Sequence, residues 1–135
     1  MESRPLKYLL DTHAWIWWNA APEKLSSQVR ALIGSGKEEI LLSAISPWEF
    51  CKLVEKGRYS IAVDALAWIE QALDMPGLQL APLTPRIAHQ STVLPSFPHD
   101  DPADQIIAAT AREEGAVLMT KDAALRRYAH LKTVW

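Results

Sequence analysis

KYLLDTHAWIWW, residues 7–18, joins a short apolar run to an aspartate and an aromatic-rich segment. The run from Lys7 to Leu10 is mostly apolar, which is typical of a strand that is buried on both faces. It stops at Asp11, and residues 12–19 follow as a short predicted helix. The stretch therefore predicts a strand–helix unit with a carboxylate at its junction.

The same alternation of strand and helix continues along the chain. Further strands are predicted at residues 40–43, 78–83, 117–119 and 133–135. Helices are predicted at about residues 25–33, 46–56, 63–73, 84–93, 104–114 and 122–128. Short apolar strands between helices predict an α/β fold, with a central, mostly parallel sheet of four to five strands covered on both faces.

The overall composition fits one globular domain spanning residues 1–135, with 49% hydrophobic and 22% charged residues. A formal net charge of -2 disfavours a protein that holds nucleic acid by charge alone, but not an enzyme that grips phosphates through a bound cation. The single cysteine, Cys51, excludes an internal disulfide. The first apolar run is too short for a signal peptide or a membrane span, so we expect a cytoplasmic protein.

Acidic residues recur where predicted strands end or helices begin. They are Asp11, Glu49, Asp104 and Asp122. Ligands of open parallel sheets bind beyond the carboxyl ends of the strands, and three of these acids follow a strand closely. Asp104 can reach the same edge only if its helix begins there.

Each acid also has an ordinary structural explanation. Glu49 falls in a Ser-x-x-Glu pattern, in which it would return a hydrogen bond to the start of its helix. Asp101 precedes a proline and could cap the next helix, whose dipole would favour Asp104 in the first turn. Asp11 and Asp122 could both be simple helix caps. The sequence leaves these alternatives open, although four such acids at one edge are harder to explain as caps.

Clustered carboxylates repel one another unless a cation binds. Two like charges about 4 Å apart repel by roughly 4 kcal/mol at an effective dielectric constant of about 20. The cluster must therefore bind metal or protonate in part. Ligands that are all oxygens favour Mg²⁺ or Mn²⁺ over zinc, and such ions coordinate phosphates and activate water. Phosphodiester hydrolysis is the chemistry that this pattern indicates.

Three stretches carry a more specific signal. They are LLDTHAWIWW at 9–18, SAISPWEFCKLVEKGR at 43–58 and PHDDPADQIIAATAREEGAVLMTKDAAL at 98–125. In this order they resemble the conserved blocks of the PIN-domain family, and most closely those of its VapC-type toxins. The resemblance spans nearly the full chain, including a tail that ends in Val134-Trp135.

The resemblance implies a three-layer α/β/α fold and an endoribonuclease that depends on Mg²⁺ or Mn²⁺. It also implies that the protein is the toxin of a type II toxin–antitoxin pair, which cleaves RNA, binds a cognate antitoxin and forms a homodimer. By motif match, the metal-binding and catalytic acids fall on Asp11, Glu49, Asp104 and Asp122. Asp101 matches an acid that we expect to cap a helix and to have a role at the site. Thr12 and Thr120 match hydroxyl positions beside the metal, where they could hold carboxylates or water.

The chain departs from the family pattern at one position. Asp-Pro-x-Asp is often followed by arginine in the family, and here Gln105 follows it. If that arginine helps to bind phosphate or to orient an acid, this protein does without it. The four acids themselves are intact.

Two other functions are compatible with the fold class. A PIN-like module that has lost catalysis could bind RNA or protein, although all four acids are present. Asp11 could instead be a phosphotransfer nucleophile, as in haloacid-dehalogenase-like phosphatases. Those enzymes carry a second acid two residues later, whereas this chain has His13 there.

Aromatic and basic residues surround the candidate acids. Of six tryptophans, Trp48 adjoins Glu49 and is expected to pack beneath it. His99, in a proline-rich loop, could contact a phosphate. The basic residues that follow Glu49 are Lys52, Lys56 and Arg58. They would form a solvated face, or else guide an RNA backbone or an acidic partner segment.

Overall fold

The computed structural model describes residues 6–135, and five strands form its sheet. They are β1 (Lys7–Leu10), β2 (Glu39–Ser43), β3 (Leu78–Ala81), β4 (Val117–Met119) and β5 (Thr133–Val134). Their order is β3-β2-β1-β4-β5, and every neighbouring pair is parallel. β1 is therefore the central strand, with β2 and β3 on one side of it and β4 and β5 on the other.

Helices connect the strands and cover the sheet. They are α1 (Thr12–Ala20), α2 (Ser27–Gly34), α3 (Ile45–Glu55), α4 (Ala65–Leu73), α5 (Pro85–Ser91), α6 (Pro102–Glu114) and α7 (Ala123–Arg127), with a short 3₁₀ helix at Pro22–Lys24. The predicted α/β class and the three-layer α/β/α arrangement are both confirmed. None of these helices is long and apolar enough to cross a lipid bilayer.

Consecutive residues of β1 point to opposite faces of the sheet, because side chains alternate along a strand. Leu10 packs in a core cluster with Trp15 of α1, while Leu9 packs in a second cluster with Ile107 of α6. Both leucines are fully buried. The apolar run Lys7–Leu10 thus contributes side chains to both faces of the sheet, which is why polar and apolar residues do not alternate along it.

The ends of several elements differ from prediction by one to three residues, for local reasons. α4 begins at Ala65 rather than Val63, because the Asp64 side chain caps it by accepting a hydrogen bond from the Ala67 backbone N–H at 3.0 Å. β3 ends at Ala81 rather than Leu83, since Pro82 follows and has no N–H to donate.

Candidate metal centre

A cavity of about 200 Å³ lies where the loops that follow β1 and β4 meet. The chain passes from β1 to β2 on one side and returns to β4 on the other, so this is where the sheet order reverses. Ligands of open α/β sheets bind at such a switch point. The acids that line the cavity are Asp11, Glu49, Asp101, Asp104 and Asp122. All four candidate metal ligands from the sequence therefore share one cavity.

Asp11 follows β1 directly, and its carboxylate accepts hydrogen bonds from one backbone amide and one hydroxyl. Its Oδ1 accepts a hydrogen bond from the Thr12 backbone N–H at 2.7 Å, and its Oδ2 accepts one from the Thr120 hydroxyl at 2.7 Å. The Thr120 hydroxyl also accepts from the Asp122 backbone N–H at 3.1 Å. Thr120 therefore links the loop after β4 to the carboxylate after β1. Burial raises the pKa of Asp11 despite these hydrogen bonds.

Glu49 is not part of a capping box, so that interpretation of its motif was wrong. α3 begins at Ile45 with no side-chain cap, which places Ser46 inside the helix. The Ser46 hydroxyl instead lies 2.9 Å from the buried Thr12 hydroxyl, joining α3 to α1. Glu49 is thus free to extend into the cavity from the first turns of α3.

One carboxylate oxygen of Glu49 lacks a partner. Among the residues described, Oε1 is the buried side-chain polar atom that forms no hydrogen bond. Leaving such an atom unsatisfied costs roughly 1–3 kcal/mol. Burial, followed by the negative charges of Asp101 and Asp11, raises the pKa of Glu49, and the Thr12 hydroxyl partly offsets this rise. A cation at this position would supply the missing partner.

Asp104 lies in the first turn of α6 and is the most strongly perturbed acid with a resolved value. Burial, and then the charges of Asp11, Asp101 and Glu49, raise its pKa to about 7. Carboxylate oxygens of Glu49, Asp101 and Asp104 lie within 4.8 Å of one another. These three acids form the tightest acidic group that the described residues contain.

Asp101 has two functions in this arrangement. Its Oδ1 caps α6 by accepting hydrogen bonds from the backbone N–H groups of Ala103 at 2.8 Å and Asp104 at 3.3 Å. The cap predicted from the Asp-Pro sequence is therefore present, and α6 begins at Pro102 rather than Asp104. The same carboxylate also contributes to the acidic group with Glu49 and Asp104.

Asp122 lines the cavity but is satisfied by protein donors. It caps α7 through the Leu125 backbone N–H at 3.0 Å, and His99 Nε2 lies 3.1 Å from both of its carboxylate oxygens. Burial alone would raise the pKa of Asp122, but the hydrogen bonds from Leu125 and His99 hold it below its ordinary value. The sequence did not predict this pair, because nothing local links residues 99 and 122.

The cavity lining also includes aromatic and basic residues. Trp17 lies there with His13 and Trp135, whose rings are 5.9 and 6.0 Å from it between centroids. The Lys121 ammonium lies 5.9 Å from the Trp17 ring. A ligand held by the acids would therefore also meet the positive charge of Lys121 and aromatic surface in the same cavity.

The donor set fits a hard divalent cation. Carboxylate oxygens of Glu49 on α3 and of Asp101 and Asp104 at the start of α6 lie within 4.8 Å of one another. Asp11 lines the same cavity, and the Glu49 Oε1 atom is buried and unpartnered. Cations such as Mg²⁺ and Mn²⁺ prefer such oxygen ligands. Uncompensated carboxylates this close together are otherwise unfavourable.

The sequence profile of the PIN domain matches residues 8–131, nearly the whole chain. This chain belongs to the PIN-domain family. It is 38% identical over 129 residues to Ribonuclease VapC22 of Mycobacterium tuberculosis, covering 94% of this chain and 97% of that protein. The resemblance to the VapC-type branch of the PIN-domain family is therefore confirmed.

Solved structures show the same PIN fold at low sequence identity. A chain in the crystal structure of DNA-bound VapBC from Salmonella typhimurium matches with a TM-score of 0.69 at 20% identity, over 96% of this chain and 97% of that one. A chain in the structure of VapBC2 from Rickettsia felis, bound to a promoter DNA fragment, matches with a TM-score of 0.66 at 16% identity, over 96% and 98%. These PIN structures support the fold alone.

Proposed function

We propose that this PIN-domain chain is a divalent-metal-dependent endoribonuclease that acts as the toxin of a type II toxin–antitoxin pair. The observation that carries the proposal is the unpartnered Glu49 oxygen, which is buried in a cavity that four further acids line. The relative named Ribonuclease VapC22 supports the reaction class. The alternative is a PIN-fold module without catalysis. Such a module would have no need for closely spaced carboxylates that lack partners in the protein.

Mg²⁺ or Mn²⁺ would be held by Asp11, Glu49, Asp104 and Asp122, with Asp101 beside them in the same cavity. When bound, the ion supplies positive charge that attracts an RNA phosphate and lowers the pKa of water. Asp11 is oriented for this role by the hydroxyl of Thr120 at 2.7 Å. Thr12 lies behind it and fixes α3 through Ser46.

Asp104 and His99 control the charge of the site. With a pKa of about 7, Asp104 holds a proton near neutral pH until a cation displaces it. His99 holds Asp122 from the outside and fixes the orientation of its carboxylate. Lys121, on the aromatic wall, adds a positive charge that would attract an RNA backbone toward the acids.

The partners of the protein follow from the same proposal. We propose a cognate antitoxin as the protein partner, as the similarity to the relative named Ribonuclease VapC22 suggests. We propose in addition that residues 1–135 form one PIN-like domain, and that the protein is a cytoplasmic homodimer.

Cleavage and metal binding should be tested together on the purified protein. We expect Asp104→Asn and Glu49→Gln to lower RNA cleavage in Mg²⁺ or Mn²⁺ at least roughly 100-fold, because each removes a ligand. Calorimetric titration with Mn²⁺ should show weakened binding in both variants. Asp74→Asn is the matched control, since Asp74 is exposed at the end of α4.

The two readouts separate the alternatives. Wild-type protein that binds Mn²⁺ and cleaves RNA supports the ribonuclease. Wild-type protein that binds RNA without binding Mn²⁺ at this site would favour the inactive module instead. Full cleavage by both variants would reject the assigned ligands.

A further inference from the structure

A second cavity of about 300 Å³ adjoins the metal cavity and shares Glu49 and Asp101 with it. We call it the flanking cavity. Its remaining wall carries one aromatic ring and three cations, from Trp48, Lys52, Lys56 and Arg58. The acids thus form a partition, with the candidate metal on one side and a positively charged, aromatic cavity on the other.

Trp48 does not pack beneath Glu49, so that expectation was wrong. The residue is 49% exposed, since it points away from the core that Phe50 enters on the same helix. The Lys52 ammonium lies 5.8 Å from the centroid of its ring. The exposed indole ring lines the cavity next to the candidate site, where it offers a flat apolar face with a polar N–H to a ligand.

The flanking cavity carries three cations and the two acids Glu49 and Asp101, and the cations differ in whether they form ion pairs. Lys52 pairs with Glu55 at 3.1 Å, whereas Lys56 and Arg58 form no ion pair with any residue between 6 and 135. Both are exposed and lie just beyond the end of α3. Because Lys56 and Arg58 are exposed and unpaired within residues 6–135, they can attract an anion at this cavity.

We propose that the flanking cavity binds the nucleotide next to the cleaved phosphodiester of single-stranded RNA, with its base stacked on Trp48 and its phosphate contacted by Lys56 and Arg58. This inference rests on the ribonuclease function proposed above. Single-stranded RNA carries flat bases and anionic phosphates in alternation. The indole ring of Trp48 can stack on a base, and the cations of Lys56 and Arg58 in the same cavity can contact the phosphate next to it. Stacking accepts any base, so the cavity would contribute affinity and position rather than strict sequence choice.

The role of Trp48 can be measured with fluorescein-labelled single-stranded RNA and fluorescence anisotropy. Asp11→Asn serves as the common background, so that bound RNA is not consumed. We expect Trp48→Ala to weaken binding roughly tenfold, while Trp48→Phe stays close to the parent because it keeps a stacking face. Leu66→Ala, another exposed apolar truncation, is the matched control.

Abasic RNA distinguishes stacking from general surface effects. A single abasic nucleotide moved along the probe should weaken binding most at one position beside the cut, and Trp48→Ala should remove that dependence. In the otherwise native enzyme, Trp48→Ala should raise KM and leave kcat within about twofold. Equal binding of the parent and Trp48→Ala, or an abasic penalty that survives in Trp48→Ala, would overturn the proposal.

The cations are tested by salt dependence. Lys56→Gln with Arg58→Gln should reduce the slope of log Kd against log salt concentration by about one to two, whereas Lys37→Gln, at the opposite end of the sheet, should not. If these variants lose affinity for an acidic peptide but not for RNA, the cavity is a protein-binding site and the inference is wrong.

Loss of cleavage in Asp104→Asn together with unchanged RNA binding in Trp48→Ala would reject this inference while leaving the proposed ribonuclease function intact.

Discussion

At the scale of single residues, the candidate site is a set of acids whose environments differ. Burial and neighbouring charges raise the pKa values of Asp11, Glu49 and Asp104, whereas Leu125 and His99 lower that of Asp122. The three acids with raised pKa values need a cation or protons to offset their charges. Asp122, whose pKa is lowered, already has hydrogen-bond partners in the protein. Because of these differences, we expect the free energy of unfolding to depend on pH in a specific direction.

The stability of the metal-free protein should fall as pH rises from about 4 to about 7. Asp104 has an ordinary pKa of 3.8 and a folded-state pKa of about 7, so the folded state holds a proton that the unfolded state has lost. Asp11 and Glu49 act in the same direction. Urea unfolding at pH 5 and pH 8, without metal, measures this, and saturating Mg²⁺ should reverse the loss. A metal-free protein that is equally stable at both values would contradict the perturbed carboxyls.

Asp104→Asn should have opposite effects on stability and on metal binding. It removes a crowded negative charge, so we expect the free energy of unfolding at pH 8 without metal to rise by roughly 1–2 kcal/mol. At pH 5 the gain should shrink to less than half, because Asp104 is then protonated in the folded state, while the unfolded carboxyl, with its ordinary pKa of 3.8, is still ionised. Denaturant titrations of both proteins at the two pH values check this, and a lower stability at pH 8 would contradict it.

Thr120 should matter more for activity than for folding. Thr120→Val removes the hydroxyl that orients Asp11 at 2.7 Å, and we expect cleavage to fall roughly 10- to 100-fold. Thr110→Val is the matched control, because its buried hydroxyl donates only to the Ile106 carbonyl within α6. Both variants should lose a similar amount of stability. Equal activity in the two would contradict a positioning role for Thr120.

At the scale of elements, the site depends on where four helices begin, including α3, which starts at Ile45 and carries Glu49. α1 starts at the carboxyl end of β1, α7 starts after β4, and α6 starts at Pro102 and brings Asp104 to the same edge. Strand-end aspartates could be predicted from the sequence, because an apolar run that stops at an acid marks the edge of a parallel sheet. The orientation of Glu49 could not, since Ser-x-x-Glu fits a cap and a ligand equally well until the start of α3 is known.

Other contacts depend on tertiary structure that local sequence does not encode. His99 and Asp122 meet only because the proline-rich loop folds back over the start of α7. Trp48 could not be placed either, because a tryptophan next to a site acid can point to the core or to solvent. The positions of the site acids could be predicted from the family motifs. The orientations of His99 and Trp48 could be seen only in the structure.

Asp101 allows the capping and metal roles to be separated. Asp101→Asn keeps a side-chain oxygen that can cap α6 and should leave the free energy of unfolding within about 0.5 kcal/mol, whereas Asp101→Ala should lower it by about 1 kcal/mol. Both variants lose the negative charge beside Glu49 and Asp104, so both should bind Mn²⁺ more weakly. Thermal unfolding and calorimetry measure the two effects. Wild-type Mn²⁺ affinity in Asp101→Asn would mean that Asp101 is only a cap.

At the scale of the whole molecule, charge is distributed in a way that its net value conceals. The chain carries a net charge of -2, yet acids gather in one cavity while cations gather beside it in the flanking cavity. A sheet whose order reverses at β1 brings these loops together. The architecture thus concentrates negative charge where a cation can bind and positive charge where a polyanion can approach.

The most direct test of this account is a crystal structure of the protein soaked with Mn²⁺, using anomalous diffraction to locate the ion. The account predicts an anomalous peak in the cavity lined by Asp11, Glu49 and Asp104, with carboxylate oxygens at about 2.0–2.3 Å. Glu49 Oε1 should be among the ligands. An empty cavity at a Mn²⁺ concentration that supports RNA cleavage would contradict it.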